Sequence, residues 1–176
     1  MNIAIWLASG LVTAVAMELW AALLHGKIWH GLLWFIHASH HRRRIEPLRE
    51  RVDGWEANDA LSTLHAPIAV ALILYGCTGA PSSWRELAFG IGLGMTAFGL
   101  AYVIVHDGFA HGRLPGSWLL RALFLKWGYM KRVRAAHMVH HNGGGEEPYG
   151  LFLGPLTIRR VQSRRRSSAM TARPKP

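Results

Sequence analysis

The sequence predicts an all-α integral membrane protein built as a helical bundle, and three observations predict it. Three apolar runs are each long enough to cross a bilayer. Ten of the eleven histidines fall into one pattern used twice, HxxxxH followed by HxxHH. Each histidine set follows an apolar run that leaves the membrane on the same side, and that side carries most of the basic residues.

Ile3 to Leu24 is apolar apart from Ser9, Thr13 and Glu18. As a helix, such a run spans roughly 30 Å, the thickness of the hydrocarbon layer. No basic segment precedes it and no small-residue cleavage site follows, so it reads as a retained membrane helix rather than a signal peptide. Next come the first histidines, within HGKIWHGLLWFIHASHH, and then a charged stretch with Arg42, Arg43, Arg44, Arg49 and Arg51. Leu61 to Gly79 is the second apolar run, kinked near its start by Pro67. Leu87 to Val105 is the third, with Gly90 and Gly94 as a small-xxx-small pair for close helix packing. His106 follows at once. Ser117 to Tyr129 has the pattern of an amphipathic helix, lying either at the membrane interface or against the rest of the fold. Residues 1–158 form one membrane-embedded domain, and 159–176 have the composition of a basic disordered tail.

Charge and composition exclude several classes. The net charge is +10, but seven Lys/Arg lie in the tail from Arg159 onward and the first 158 residues are near balance. A basic tail on a membrane protein reads as positive charge facing the cytosol, and no nucleic-acid motif accompanies it. The single Cys77 excludes an intramolecular disulfide and thiolate-rich metal sites. Of the basic residues only Arg85 belongs to the opposite side, so the histidine side is cytosolic.

The histidines are His25, His30, His37, His40 and His41, then His106, His111, His137, His140 and His141. On one continuous α-helix the first five fall at about 0°, 140°, 120°, 60° and 160°, within roughly half the circumference. The i, i+3 and i, i+4 spacings gather imidazoles on one face, as metal ligation from a helix requires. Whether the helix runs through Gly26 and Gly31 decides how His25 and His30 converge. Ten ligands exceed the needs of one ion, and two ions would take four or five imidazoles each. Neutral imidazole suits Zn, Cu, Fe and Ni, and a crowded all-nitrogen pair beside a bilayer suits iron handling O2 better than redox-inert zinc. His65 stands outside the pattern and takes no metal role. The residues alone reach a membrane di-metal oxidase, without a substrate.

With HGKIWHGLLWFIHASHH, WEANDALS, HDGFAHGRLP and AAHMVHH in this order, the chain resembles the bacterial β-carotene hydroxylases of the fatty acid hydroxylase/sterol desaturase superfamily over roughly residues 10–156. The resemblance implies O2-dependent hydroxylation at ring C3, from β-carotene through β-cryptoxanthin to zeaxanthin. It implies a non-haem di-iron cofactor on the ten histidines, electrons from reduced ferredoxin, and a multi-pass protein of the bacterial inner membrane. Carboxylates near ligating histidines commonly accept the outer ring N–H. Glu18 lies seven residues before His25, on the same helix face, and Asp107 adjoins His106; these are the candidate catalytic acids. Glu56, Asp59 and Asn58 are further outer candidates. The competing readings are a hydroxylase, desaturase or ketolase of a sterol or fatty acid, and a non-enzymatic metal-binding membrane protein.

Overall fold

The computed structural model describes residues 2–41, 56–142, 147–158 and 163. The arginine-rich connection 42–55, the glycine-rich 143–146 and the expected disordered tail lie outside the described residues, apart from Ser163. The described residues are helical, with short connections and no strand. Helix α1 (Ile3–Leu23) runs without a break into a π-helical segment, π1 (Leu24–Leu32), and α2 (Trp34–His41) follows a turn at Leu33. Then come α3 (Ala57–Thr63), α4 (Ala66–Cys77) and α5 (Ser83–Val103), which continues as a second π segment, π2 (Ile104–His111). The short α6 (Ser117–Phe124) and α7 (Gly128–Asn142) complete the fold before a last helical turn over 154–158.

Three stretches are long and apolar enough to cross a membrane: Ile3–Leu32, Ala57–Cys77 and Ser83–His111. Each contains most or all of an expected run, and each extends further toward the histidines. Their outward faces carry Leu7, Leu11, Val15, Leu19, Ile68, Leu74 and Leu100, all exposed. Apolar side chains turned outward along whole helices mark a protein whose solvent is lipid. The third stretch is the most buried because α5 packs between α1 and α4.

Backbone approach sets that packing. A Cβ at Gly94 would strike the Gly10 carbonyl and one at Gly90 the Ser9 hydroxyl, so this pair faces α1. Gly92 lies against Ala69 and Ile73 of α4. The Asn2 N–H donates to Glu86 Oε1 at 2.8 Å, which puts the N-termini of α1 and α5 at one end of the bundle. Arg85 lies 4.5 Å over the Tyr75 ring and donates to the Tyr75 and Thr78 carbonyls, fixing the C-terminus of α4 at that same end. Helices α1 and α5 therefore run parallel, and π1 and π2 emerge together at the other end.

Pro67 sits in the first turn of α4, where a missing N–H costs nothing, and a turn at Leu64 and His65 separates α3 from α4. The expected helix over Ser117–Tyr129 ends at Phe124 instead, because a turn over Leu125–Trp127 leads into Gly128 and α7. Its Ser117 and Arg121 are buried while Trp118, Leu119 and Leu123 are exposed. This polar-in, apolar-out arrangement is that of a helix lying in the membrane interface. Under the histidines, Val105, Phe109, Met130, Val133 and Leu151 form an apolar floor.

Candidate metal centre

The HxxxxH spacing finds its explanation in π1 and π2. On an α-helix, residues five apart point about 140° apart. Hydrogen bonds that span five residues widen the turn and bring the fifth residue back toward the same face. The His25 and His30 ring centroids are 5.0 Å apart, and those of His106 and His111 are 4.5 Å apart. The helix does run unbroken past Gly26 and Gly31, but not with the α-helical phase that places His30 at 140°. Gly26 is required here, because a Cβ would fall 2.5 Å from the Tyr149 ring.

Nine of the ten histidines gather into two groups. His25, His30, His37, His41 and His140 form one; His40, His111, His137 and His141 form the other. Within each group, one nitrogen from every ring lies within 4.8 Å of all the others. The two HxxHH motifs exchange a ligand. His37 and His41 stay with the first group while His40 crosses to the second; His137 and His141 stay with the second while His140 crosses to the first. The adjacent pair at the end of each motif thus places one imidazole on each side. Where the groups meet, His41 and His141 stack at 4.4 Å. The doubled motif becomes a pseudo-two-fold centre in which His106 corresponds to His25. The His106 ring lies 4.9, 4.5 and 4.8 Å from those of His40, His111 and His137, beside the second group but outside its closest set.

Hydrogen bonding fixes several tautomers. His25 Nδ1 meets the Tyr149 carbonyl at 2.9 Å, and His37 Nδ1 meets Asn58 Oδ1 at 2.6 Å. Both acceptors require the proton on Nδ1, which leaves each Nε2 as a bare lone pair. Those two Nε2 atoms are 3.0 Å apart. Two lone pairs at that distance repel, and a cation between them removes the conflict. In the second group His40 Nδ1 meets Glu56 Oε2 at 3.3 Å, and its Nε2 is buried without a hydrogen-bond partner. Both ring nitrogens of His141 are buried in the same condition. Burial holds His37 down at about 4 and His41 at about 3, and it drives His40, His137 and His141 well below the ordinary imidazole range. Neighbouring imidazoles add to the effect. These five rings are neutral at physiological pH, the form that ligates metal. An all-imidazole set with convergent lone pairs and orphaned nitrogens fits two first-row transition ions.

Around the second group a charge network orients the rings. Asp107 Oδ1 accepts from His106 Nδ1 at 3.0 Å. Arg113 binds Asp59 through two nitrogens, at 2.7 and 2.9 Å, reaches Asp107 at 3.1 Å, and lies 3.6 Å from Glu56. It thereby joins π2 to the start of α3, where Glu56 and Asp59 form a reciprocal capping box. The surrounding carboxylates raise the Arg113 pKa above its ordinary value. Among the outer candidates, Asp107, Glu56 and Asn58 each meet a ring nitrogen, whereas Asp59 serves Arg113.

Glu18 lies on the face expected, but its partner is different. It takes the Leu153 N–H at 2.8 Å and bonds no imidazole. The strap over 147–153 is what both Glu18 and His25 grip, two helical turns apart: Glu18 holds Leu153 and His25 holds the Tyr149 carbonyl. Sequence reasoning missed Arg113 and the Tyr149 carbonyl. Arg113 carries a faint signal, as a lone cation directly after the HDGFAHG segment. A backbone carbonyl carries none.

Residues 10–156 match the fatty acid hydroxylase family. The chain is 40% identical over 149 residues to β-carotene hydroxylase 1, chloroplastic, of Capsicum annuum, covering 84% of this chain and 43% of that protein. It is 41% identical to β-carotene 3-hydroxylase, chloroplastic, of Gentiana lutea, covering 84% and 42%. It is 39% identical over 163 residues to β-carotene hydroxylase of Pantoea ananas, covering 90% of this chain and 83% of that protein. The chain thus spans less than half the length of the chloroplast relatives and most of the bacterial one. No solved structure matches it. With the family's residues spread over both histidine sets and all three apolar helices, the chain belongs to the fatty acid hydroxylase family.

Proposed function

We propose that this chain is an O2-dependent β-carotene 3-hydroxylase that converts β-carotene through β-cryptoxanthin to zeaxanthin. The observation that carries the metal-dependent reading is the pair of imidazole groups, above all the unbonded approach of His25 Nε2 and His37 Nε2. The relatives from Gentiana lutea and Pantoea ananas support the carotenoid substrate. Ten histidines are the ligands: the two groups, with His106 completing the second. When bound, two non-haem irons supply O2 activation for insertion of oxygen at an unactivated C–H bond, with electrons from reduced ferredoxin. The histidine side faces the cytosol of a bacterial inner membrane, on the charge bias of the sequence.

The chain's own residues prepare this chemistry. Asn58, Glu56, Asp107 and the Tyr149 carbonyl hold the protons of four rings on Nδ1 and leave Nε2 for metal. Arg113 holds Asp59, Asp107 and Glu56 in place. The 147–153 strap, with Tyr149 5.4–5.8 Å from the rings of His25, His30 and His140, covers the first group and excludes water. Glu18 acts through this strap as a positioning residue, and Asp107 through His106.

Expression in cells that make β-carotene tests the reading. We expect β-cryptoxanthin and zeaxanthin to appear, and His40→Ala to abolish both. Unaltered β-carotene with the wild-type chain, or unchanged zeaxanthin with the variant, overturns it.

A further inference from the structure

We infer that the cavity enclosed by α1, α4 and α5 is the seat of the substrate's terminal ring, and that Gly99 sets its size. The inference rests on the carotenoid reading above. The cavity has a volume of about 320 Å³, near the lower end for small-molecule sites. It occupies the histidine-proximal half of the bundle, between Met17 and Trp29 on one side and Met95 and Val103 on the other. Its size admits one cyclic end of a long hydrocarbon, so the remaining polyene lies outside it.

Two features give the cavity direction. Leu100, Val70 and Val103 both line it and are exposed on the outer faces of α4 and α5, so its mouth opens where lipid chains lie. At the inner end, Trp29 and Tyr102 line it and also touch the metal centre. Tyr102 stacks on His106 at 4.9 Å, and Trp29 lies 5.5 Å from His25 and 5.6 Å from His37. These two rings form the wall between the cavity and both histidine groups, on the path from bilayer to metal.

The lining chemistry selects hydrocarbon. Its serine and threonine hydroxyls are spent on their own helices: Thr96 donates to the Gly92 carbonyl at 2.9 Å, Thr63 to the Asp59 carbonyl at 3.0 Å and Ser62 to the Asn58 carbonyl at 3.5 Å. His65, the histidine outside the doubled motif, accepts the Trp20 indole N–H at 2.9 Å. An oxygen-free ring loses nothing on entering such a space, whereas a polar head group leaves water without replacement partners.

Gly99 makes the test clean. It lines the cavity and is itself exposed at its open side, and a Cβ built on it meets nothing within 4 Å, so larger residues there extend across that opening rather than into protein. In a helix they also raise the local propensity. The full chain in membranes is compared as wild type, Gly99→Ala, Gly99→Leu and Gly128→Leu; Gly128 has equally open surroundings but lies outside the cavity. We expect zeaxanthin formation to fall roughly ten- to hundredfold in Gly99→Leu, less in Gly99→Ala, and not at all in Gly128→Leu, with metal content unchanged throughout. Wild-type turnover in a metal-replete Gly99→Leu protein overturns the assignment of the cavity. Loss in Gly99→Leu matched by equal loss in Gly128→Leu also overturns it. Failure of the wild type to oxygenate β-carotene overturns the functional reading instead, and is recognised before the variants are compared.

Discussion

Arg113→Met removes the cation that, among the described residues, joins Asp59, Asp107 and Glu56, while keeping a comparable apolar stem. The Arg113 side chain is 12% exposed, between a surface residue and a core one. Exposed ion pairs contribute about 0–1 kcal/mol, and breaking a fully buried pair costs about 3–5 kcal/mol. A network of three carboxylates at this depth therefore costs about 2–4 kcal/mol when its cation is lost, roughly 30- to 1,000-fold in an equilibrium constant. The cost falls unevenly. Glu56 and Asp107 orient His40 and His106, beside or within the second group, whereas His25 is held by the Tyr149 carbonyl, which Arg113 does not touch. The variant should retain about one metal ion of the two that the paired groups accommodate, with a lower Tm and little hydroxylation. Arg113→Lys should recover part of the loss, because ammonium restores the charge but not the two-pronged grip on Asp59. Metal analysis of purified protein beside a thermal melt reads both effects. Full metal content and an unchanged Tm in Arg113→Met would refute the view that this network orients the second group.

Two further outcomes follow from the same geometry. Glu18→Ala frees the Leu153 N–H and loosens the strap that carries the Tyr149 carbonyl, so metal retention should drop roughly 10- to 100-fold, with Glu18→Gln recovering much of it through its amide oxygen; competitive chelation measures this, and equal retention in Glu18→Ala and wild type would contradict it. Acid should act in one direction: burial holds His37 at about 4 and His41 at about 3 in the folded chain, against about 6.5 when unfolded, so their contribution is intact above pH about 6.5 and is lost as pH falls from there through about 4 for His37 and about 3 for His41, and a Tm and metal content that stay flat from pH 8 to pH 5 would count against neutral buried ligands.

The bundle was legible because membrane spans are written in composition, and the paired groups because the doubled motif repeats its spacing. What the sequence hid is the phase of the helix. An α-helical wheel separates His25 from His30, and only the i→i+5 turns of π1 and π2 bring such pairs together. The spacing of five, used twice, was itself the trace of that geometry. Glu18 shows a second limit: periodicity placed it on the face of His25, but its partner is the backbone of a strap more than a hundred residues away. Arg113 shows a third, since its three carboxylates are gathered only when α3 meets π2. The reversed polarity of α6 depends on lipid replacing water, which a pattern alone leaves open between two surroundings.

The central claim is that two imidazole groups hold two redox-active ions. The direct measurement is metal analysis of the full chain purified from membranes, with iron spectroscopy of the same sample. About two irons per chain, magnetically coupled and both lost in a His40→Ala, His41→Ala double variant that removes one ligand from each group, is the predicted result. One ion per chain, or zinc alone with no iron signal, would contradict it.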